Sequence, residues 1–149
     1  MSDNHSLERV IVGYQSPLYY QVLDLRYRVL REPLGMHFTD EQLAKEGAYL
    51  HLALVQNGRP VATLQLLTPE RSDQMQMKQV AVDPELQGQG IGAALIQFAE
   101  DEARSRGVSL MFCHARENAV PFYLRQGYSI HGDEFTEIGI PHFYMEKNL

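Results

Sequence analysis

Three glycines at alternate positions are the clearest indication of a ligand-binding site in this sequence. They belong to the stretch Gln87, Gly88, Gln89, Gly90, Ile91 and Gly92. The Asp83-Pro84 break precedes the stretch, and a helical pattern begins at Ile91. A glycine-rich turn that enters a helix exposes unpaired backbone N–H groups at the positive end of the helix dipole, where phosphate binds. The turn alone leaves open a second interpretation, a strand-to-helix connection without a ligand.

The spacing of these glycines excludes two common phosphate-binding fingerprints. A dinucleotide motif would need a third glycine where Ala93 or Leu95 stands, and a P-loop would need Gly-Lys-Ser/Thr after the turn. Residues 87–92 instead resemble, position by position, the (Arg/Gln)-x-x-Gly-x-(Gly/Ala) acyl-CoA signature of the GNAT superfamily of N-acetyltransferases. This resemblance implies that the turn cradles the pyrophosphate of coenzyme A.

A second stretch, residues 116–128, resembles the other hallmark of that family, Asn-x-x-Ala-x-x-(apolar)-Tyr-x-x-x-Gly-(aromatic). The matching residues are Ala119, Phe122, Tyr123, Gly127 and Tyr128. The family's asparagine, which commonly bonds pantetheine, aligns with Arg116, and this arginine could donate in its place. Asn118 lies two residues later and is predicted to be the N-cap of the next helix. The resemblance therefore implies CoA contacts from Arg116, Asn118 and Tyr123.

The predicted strand 74–82 changes the phase of its apolar pattern. Met75 and Met77 share one face, whereas Val80 and Val82 have the opposite parity. Such a change predicts a β-bulge near residues 78–80, although a strand end buried on both faces would give the same pattern. In the family the equivalent strand is bulged and its backbone pairs with pantetheine. The resemblance extends that role to Val80, Ala81 and Val82.

The resemblance implies acetyl transfer from acetyl-CoA to an amine, a reaction with three requirements. A lysine-like amine, with a pKa of about 10.4, must lose a proton to a base or to water. The tetrahedral oxyanion needs positioned donors, each worth about 3–4 kcal/mol, for which the backbone near Val80 is the candidate. The leaving thiolate needs a proton, and Tyr123 stands where the family keeps its general acid. A core tyrosine with a merely satisfied hydroxyl is the alternative for Tyr123.

The base is the least determined of these groups. The central strand offers only glutamines and a lysine near its bulge, at positions 74, 76, 78 and 79. The candidates therefore come from neighbouring elements: His114 at the end of a predicted strand, and Glu137 and His142 in the tail. We prefer Glu137 or His142 to His114. For each of the three, a surface or strand-capping role remains the alternative.

The elements that must position these groups follow from periodicity and turn chemistry. Strands are predicted at 7–14, 49–56, 60–67, 74–82 and 108–113, with two more in the tail and a polar loop at 69–73. Helices are predicted at 17–31 and 41–46, from Ile91 to the Gly107 C-cap, and after Asn118. The fold class is then α/β (α+β): the GNAT acyl-CoA N-acyltransferase fold, with a mixed, mostly antiparallel sheet of six or seven strands flanked by helices. Residues 1–149 are expected to form a single domain.

The first helix carries a set of tyrosines and arginines that allows two interpretations: Tyr19, Tyr20, Arg26, Tyr27, Arg28 and Arg31. These residues could present a face that receives the acceptor. The alternative is a set of core tyrosines and solvated arginines.

Composition limits the classes of function. A net charge of −6 argues against nucleic-acid binding, and a single cysteine, Cys113, excludes an intrachain disulfide. The six histidines show no metal-ligand spacing, so no metal is expected. No apolar run is long enough for a membrane span, and the polar start is no signal peptide, which favours a cytoplasmic protein. The expected partners are acetyl-CoA and an amine acceptor, with a homodimer left open. The alternative function is a CoA-binding sensor that transfers no acyl group.

Overall fold

The computed structural model describes residues 6–68 and 73–149. The strands, in chain order, are β1 Glu8–Val12, β2 Leu50–Gln56, β3 Arg59–Leu67, β4 Gln74–Val82, β5 Leu110–Arg116, β6 Ser129–Ile130, β7 Phe135–Glu137 and β8 Ile140–Asn148. The helices are α1 Pro17–Leu30, α2 Asp40–Ala44, α3 Ile91–Ser105 and α4 Val120–Arg125. Within the described residues, no helix is both long and apolar enough to cross a membrane.

The strands of the described chain form one mixed sheet in the order β1-β2-β3-β4-β5-β8-β6, with β7 paired to β8. Only β4 and β5 run parallel among these neighbours. The sheet is mixed and mostly antiparallel, as predicted, but the described residues form eight strands rather than six or seven. The difference lies in the tail, where a turn at Ile138-Gly139 reverses the chain and separates β7 from β8.

Local signals in the sequence fix the helix starts. The Ser16 side chain accepts a hydrogen bond from the Tyr19 N–H and thereby caps α1, with Pro17 at the first helical position. Thr39 and Gln42 form a capping box at the start of α2. Both helices therefore begin at a hydroxyl side chain that caps the first turn.

The two faces of the sheet are covered by different helices. The main core joins α3 to the leucines and methionines of β2, β3, β4 and β5, including Leu95, Leu64 and Met77. On the opposite face, Tyr19 and Val22 of α1 pack in a smaller cluster with Val12, Ala53 and Val55. Because α1 and α3 lie on opposite faces, a ligand that contacts both must reach through the sheet.

The bulge in β4 is confirmed. Gln65 of β3 lies opposite Lys78, but Thr63 lies opposite Ala81, so two residues of β4 face one residue of β3. Gln79 takes up the extra length with a φ of 55°. Parallel pairing with β5 extends only from Gln74–Leu110 to Met77–Cys113. The strands β4 and β5 therefore separate at the bulge.

Three local predictions need correction or remain outside the description. Asn118 is not an N-cap: it lies inside a 3₁₀ turn, Glu117–Ala119, that leads straight into α4. A capping side chain needs extended backbone, and the last extended residue here is Arg116. The strand predicted at 108–113 runs instead from Leu110 to Arg116, because it pairs with β8 along its whole length, and His114 lies within it rather than at its end. Most of the loop predicted at 69–73 lies outside the described residues.

Candidate active site

The glycine turn forms one wall of a cleft of about 680 Å³. Gly88 and Gly90 have φ values of 86° and 78°, in the left-handed region that favours glycine. Gly90 is the N-cap of α3, and its carbonyl accepts the N–H of Ala94, so the first amides of the helix have no partner within it. Five of the six turn residues line the cleft, and Gln89 does not.

Helix α4 forms the facing wall of this cleft. Phe122 packs so closely that a Cβ at Gly92 would lie 3.1 Å from its ring. The cleft is also lined by Val80, Val82, Arg116, Asn118 and Tyr123. Every predicted CoA-binding residue except Gln89 and Ala81 therefore lies at this cleft. Ala81 is buried, at 1% exposure.

A second, smaller cavity of about 130 Å³ lies where β4 and β5 separate. It is lined by the bulge of β4, by the end of α1, and by all three candidate bases, His114, Glu137 and His142. Leu30, Val80, Arg116, Ala119 and Tyr123 line both this cavity and the cleft. The two spaces therefore adjoin, and the separation of β4 from β5 is what brings them together.

The three candidate bases form one cluster across β5, β7 and β8. Nδ1 of His114 lies 3.0 Å from Oε1 of Glu137 and donates to that carboxylate. Nε2 of His142 lies 3.7 Å from the other oxygen, Oε2. Nδ1 of His142 donates to the carbonyl of Ile140 at 2.8 Å, so in the neutral ring Nε2 is the nitrogen without a proton. Glu137 is thus held between two imidazoles.

Register explains why residues so far apart in the chain meet. Arg116 lies opposite His142 in the β5–β8 pairing, and Phe135 lies opposite His142 in the β7–β8 pairing. His142 is 3% exposed, whereas the Glu137 side chain is 43% exposed. The carboxylate is therefore the member of the pair that a ligand reaches more readily.

Tyr123 lies between the two spaces with its ring buried. Burial, together with the neighbouring Cys113, raises the pKa of its hydroxyl well above the ordinary value. Burial likewise raises the pKa of the Cys113 thiol to about 12. Tyr123 therefore keeps its proton at neutral pH and can act as an acid, while Cys113 stays an unreactive thiol.

Two arginines add positive charge to the small cavity. Arg31, at the end of α1, is 6% exposed and donates to the Leu30 carbonyl, as does Arg116 at 3.1 Å. Burial lowers the pKa of both, Arg116 and Arg26 lower that of Arg31 further, and Glu137 opposes the shift. Both guanidinium groups remain charged at neutral pH.

Among the polar residues that line this cavity, Arg31 and Gln79 were not identified as catalytic or CoA-binding residues from the sequence. Arg31 was seen only as one of several arginines in a helix, and nothing in its spacing distinguishes it from Arg28. Gln79 was considered only as a poor base. Its side-chain oxygen is buried and has no hydrogen-bond partner in the described chain, and it lines the cavity. The phase change that predicted the bulge was the available signal for Gln79.

The tyrosines and arginines of α1 divide in a way that neither interpretation predicted. Arg26 is fully buried, and its guanidinium donates to both oxygens of Glu46 at 2.7 and 2.6 Å. Tyr19 donates to the same carboxylate, and Nε2 of His51 contacts the Glu46 carbonyl. Arg26 therefore belongs to a buried network, while Arg28 is exposed beside Asp24.

A metal is not indicated by the geometry. Although two histidines and a glutamate meet at the cavity, residues 6–68 and 73–149 contain no group of three or more such side chains arranged to hold a metal ion. The cluster is instead suited to moving a proton.

Comparison with known proteins gives a consistent result. The family model of the acetyltransferase (GNAT) domain matches residues 29–149. The [ribosomal protein bS18]-alanine N-acetyltransferase of Escherichia coli K12 is 33% identical over 84 residues, which is 54% of this chain and 55% of that enzyme. An uncharacterized Bacillus subtilis protein, YyaT, is 33% identical over 60 residues, 40% of each chain. The chain thus spans about half the length of the curated relatives it matches.

Solved structures share the whole fold. A Lactobacillus plantarum protein superposes with a TM-score of 0.83 at 25% identity, over 97% of this chain and 99% of that chain. A GNAT acetyltransferase from Elizabethkingia anophelis, solved with acetyl-CoA bound, superposes with a TM-score of 0.74 at 17% identity, over 99% of this chain and 100% of that chain. The latter likeness concerns the fold alone. The family match, which covers most of the sequence, and the fold agree, and the chain belongs to the GNAT family of acetyltransferases.

Proposed function

We propose that this chain, acting as a single domain, transfers an acetyl group from acetyl-CoA to a primary amine by direct attack on the thioester. The observation that carries the proposal is the gap between β4 and β5, where the glycine-turn cleft adjoins the cavity of Glu137. A thioester in that gap would have the cleft with the unpaired backbone N–H groups of the glycine turn on one side. On the other side it would have the Glu137 carboxylate as a proton acceptor.

Coenzyme A binding is assigned to the turn and the bulged strand. The free amides at the start of α3 are donors for the pyrophosphate, and the glycines allow close approach to the backbone. Val80 lies on the part of β4 that has no β5 partner, so its backbone N–H is our candidate donor to the thioester oxygen. The buried oxygen of Gln79 is an acceptor for an N–H of either substrate.

Proton removal is assigned to Glu137. The incoming ammonium would give its proton to the carboxylate, directly or through one water. His114 positions that carboxylate through its hydrogen bond, and Nε2 of His142, 3.7 Å from the other oxygen, can accept the proton in turn. The carboxylate that the central strand lacks is therefore supplied by β7.

Protonation of the leaving thiolate is assigned to Tyr123. The neutral amine nitrogen forms a bond to the acetyl carbon, the carbon–sulfur bond breaks, and the nitrogen loses its second proton to solvent. The phenol gives its own proton to the departing thiolate. The raised pKa keeps the hydroxyl protonated in the resting site but makes it a weaker acid, so the transfer depends on a thiolate that forms beside it in the same buried surroundings. The products are the N-acetylated acceptor and free CoA, and Tyr123 regains a proton from solvent.

The test is thiol release from acetyl-CoA across a panel of primary amines. The panel should include a peptide with an N-terminal alanine, because the matched Escherichia coli enzyme is a ribosomal protein alanine N-acetyltransferase, and an aminoglycoside, because a fold neighbour is an aminoglycoside 6'-N-acetyltransferase. Amine-dependent release supports the proposal. Calorimetric binding of acetyl-CoA without release by any amine would support a CoA-binding sensor instead.

A further inference from the structure

Two hairpins in this chain use the same turn geometry with different residues. Asn57 and Gly58 join β2 to β3 with φ values of 53° and 76°. Ile138 and Gly139 join β7 to β8 with φ values of 46° and 73°. Both are two-residue connections in which both residues have positive φ, the arrangement for which Asn-Gly is the favoured sequence.

Isoleucine is an unfavourable choice for the first position of such a turn. A β-branched side chain clashes with its own backbone in the left-handed region, where asparagine is tolerated. Among the described residues with positive φ other than glycine, Ile138 is the only β-branched one, beside Gln15, Asn57 and Gln79. The chain uses asparagine at Asn57, so the strain at Ile138 is specific to the second turn.

Ile138 also occupies a particular place. It lines the small cavity next to Glu137, whereas Asn57 lines neither the cavity nor the cleft. Its side chain is 37% exposed, so its strain is not offset by full burial in the core. The cavity is lined by the polar or charged side chains of Glu137, His142 and Arg31 and by apolar ones such as Leu30 and Met77. The exposed part of the Ile138 side chain gains further free energy when an apolar group of a ligand covers it.

We propose that Ile138 is a specificity-determining residue that contacts the acceptor and selects amines carrying an apolar group near the nitrogen. The proposal rests on the function assigned above, because it assumes that the acceptor amine approaches Glu137. Strained backbone persists at functional sites where a side chain is needed in one position, and here that side chain is apolar. The substrate class is therefore a primary amine on a hydrocarbon substituent rather than on a hydroxylated one.

The experiment compares Ile138→Asn with the wild-type protein on alkylamines and on amino alcohols of matched length. We expect the preference for alkylamines, measured as the ratio of kcat/KM values, to fall about tenfold in the variant, the effect typical of losing an apolar contact in a pocket. The melting temperature should rise by about 2–6 °C, because asparagine relieves the turn. Acetyl-CoA affinity, measured by calorimetry, should stay the same.

Two further variants make the result decisive. Asn57→Ile introduces the same strain at the distant hairpin, and it should lower the melting temperature without changing the amine preference. Ile138→Gly removes the side chain without adding a polar group, and it should lose the preference as Ile138→Asn does. If the wild-type protein turns over amines and both Ile138 variants keep the same preference for alkylamines, the inference is overturned but the proposed function is not. Absence of turnover in the wild-type protein on every amine would overturn the proposed function and this inference with it.

Discussion

Among single residues, Glu137 has the central role in the proposed mechanism, as the general base. Its two carboxylate oxygens face different histidines, and its side chain is 43% exposed. Removing its charge should leave the hairpin intact, because Glu137 is only partly buried. The effect of such a change should therefore be on turnover.

We expect Glu137→Gln to lower kcat/KM for the acceptor by about 10²–10⁴, as loss of a general base does. Steady-state kinetics at neutral pH measure the effect. Glu134→Gln, an exposed neighbour outside the cavity, is the matched control and should keep the wild-type kcat/KM. A kcat/KM near the wild-type value in Glu137→Gln would show that the base lies elsewhere.

Tyr123 and Tyr128 form a second comparison at this scale. Both are buried, and their rings are in contact. The Tyr128 hydroxyl donates to Glu100 at 2.8 Å and lies outside both spaces of the site, whereas Tyr123 lines both. The Tyr128 hydroxyl thus has a structural hydrogen bond, whereas Tyr123 lies at the proposed site.

These positions predict opposite effects of the same deletion. Tyr123→Phe should lower kcat by about 10²–10⁴ with little change in acetyl-CoA affinity or melting temperature. Tyr128→Phe should lower the free energy of unfolding by about 1–3 kcal/mol, because Glu100 loses a buried donor, and should leave kcat near the wild-type value. Full kcat at saturating substrates in Tyr123→Phe would make this tyrosine a core residue only.

At the scale of elements, the start of α3 depends on two glycines with positive φ. Gly90 is the N-cap and lines the cleft, and Gly107 follows the other end of the helix with a nearly identical φ of 79°. A Cβ would meet no atom within 4 Å at either position. A valine at either position therefore introduces similar backbone strain, but only Gly90 lies at the predicted phosphate site.

We expect Gly90→Val to abolish measurable acetyl-CoA binding in calorimetry while the protein remains folded by circular dichroism. The added side chain blocks the approach of the phosphates to the free amides. Gly107→Val should lose a similar amount of stability and keep wild-type affinity. Equal affinities in the two variants would exclude the glycine turn as the phosphate site.

At the scale of the whole molecule, stability depends on a buried polar network under α1. His51 is 1% exposed and packs against the rings of Tyr14 and Tyr19. Burial lowers its pKa, and the charge of Arg26 adds to that shift against the opposing bond and charge of Glu46. The folded protein therefore holds His51 neutral at a pH where the unfolded chain binds a proton.

The sign of the pH dependence follows from that shift. The contribution of His51 to the free energy of unfolding is fully present above the pKa of the unfolded chain, about 6.5. It is lost as the pH falls towards the lower pKa of the folded protein, by at most about 1.4 kcal/mol per pH unit. Urea unfolding of wild type and His51→Gln at pH 7.5 and 5.5 measures it, and the variant should show the smaller loss on acidification. His37→Gln, an exposed control, should follow the wild type. A parallel decline in His51→Gln would assign the pH dependence to other groups.

The sequence by itself determined the features that depend on neighbours a few positions away. The spacing of the glycines around Gly90 identified the turn, the Ser16 and Thr39 caps set two helix starts, and the parity change after Met77 located the bulge. Each of these is a local preference of backbone and side chain, so it is written within one segment. The family resemblance of the two motifs rested on the same kind of information.

Contacts between residues that lie far apart in the chain could not be predicted in this way, because they depend on the tertiary fold. His114, Glu137 and His142 converge because β8 inserts between β5 and β6 and carries β7 with it, in a register that no local pattern specifies. Arg31 reaches the cavity because it follows the last residue of α1, a helix that packs against β4. Asn118 is not a cap because the 3₁₀ turn before α4 is continuous with the helix. Strand register and helix docking depend on the free energy of interactions between many segments of the chain. The sequence of one segment does not specify those interactions.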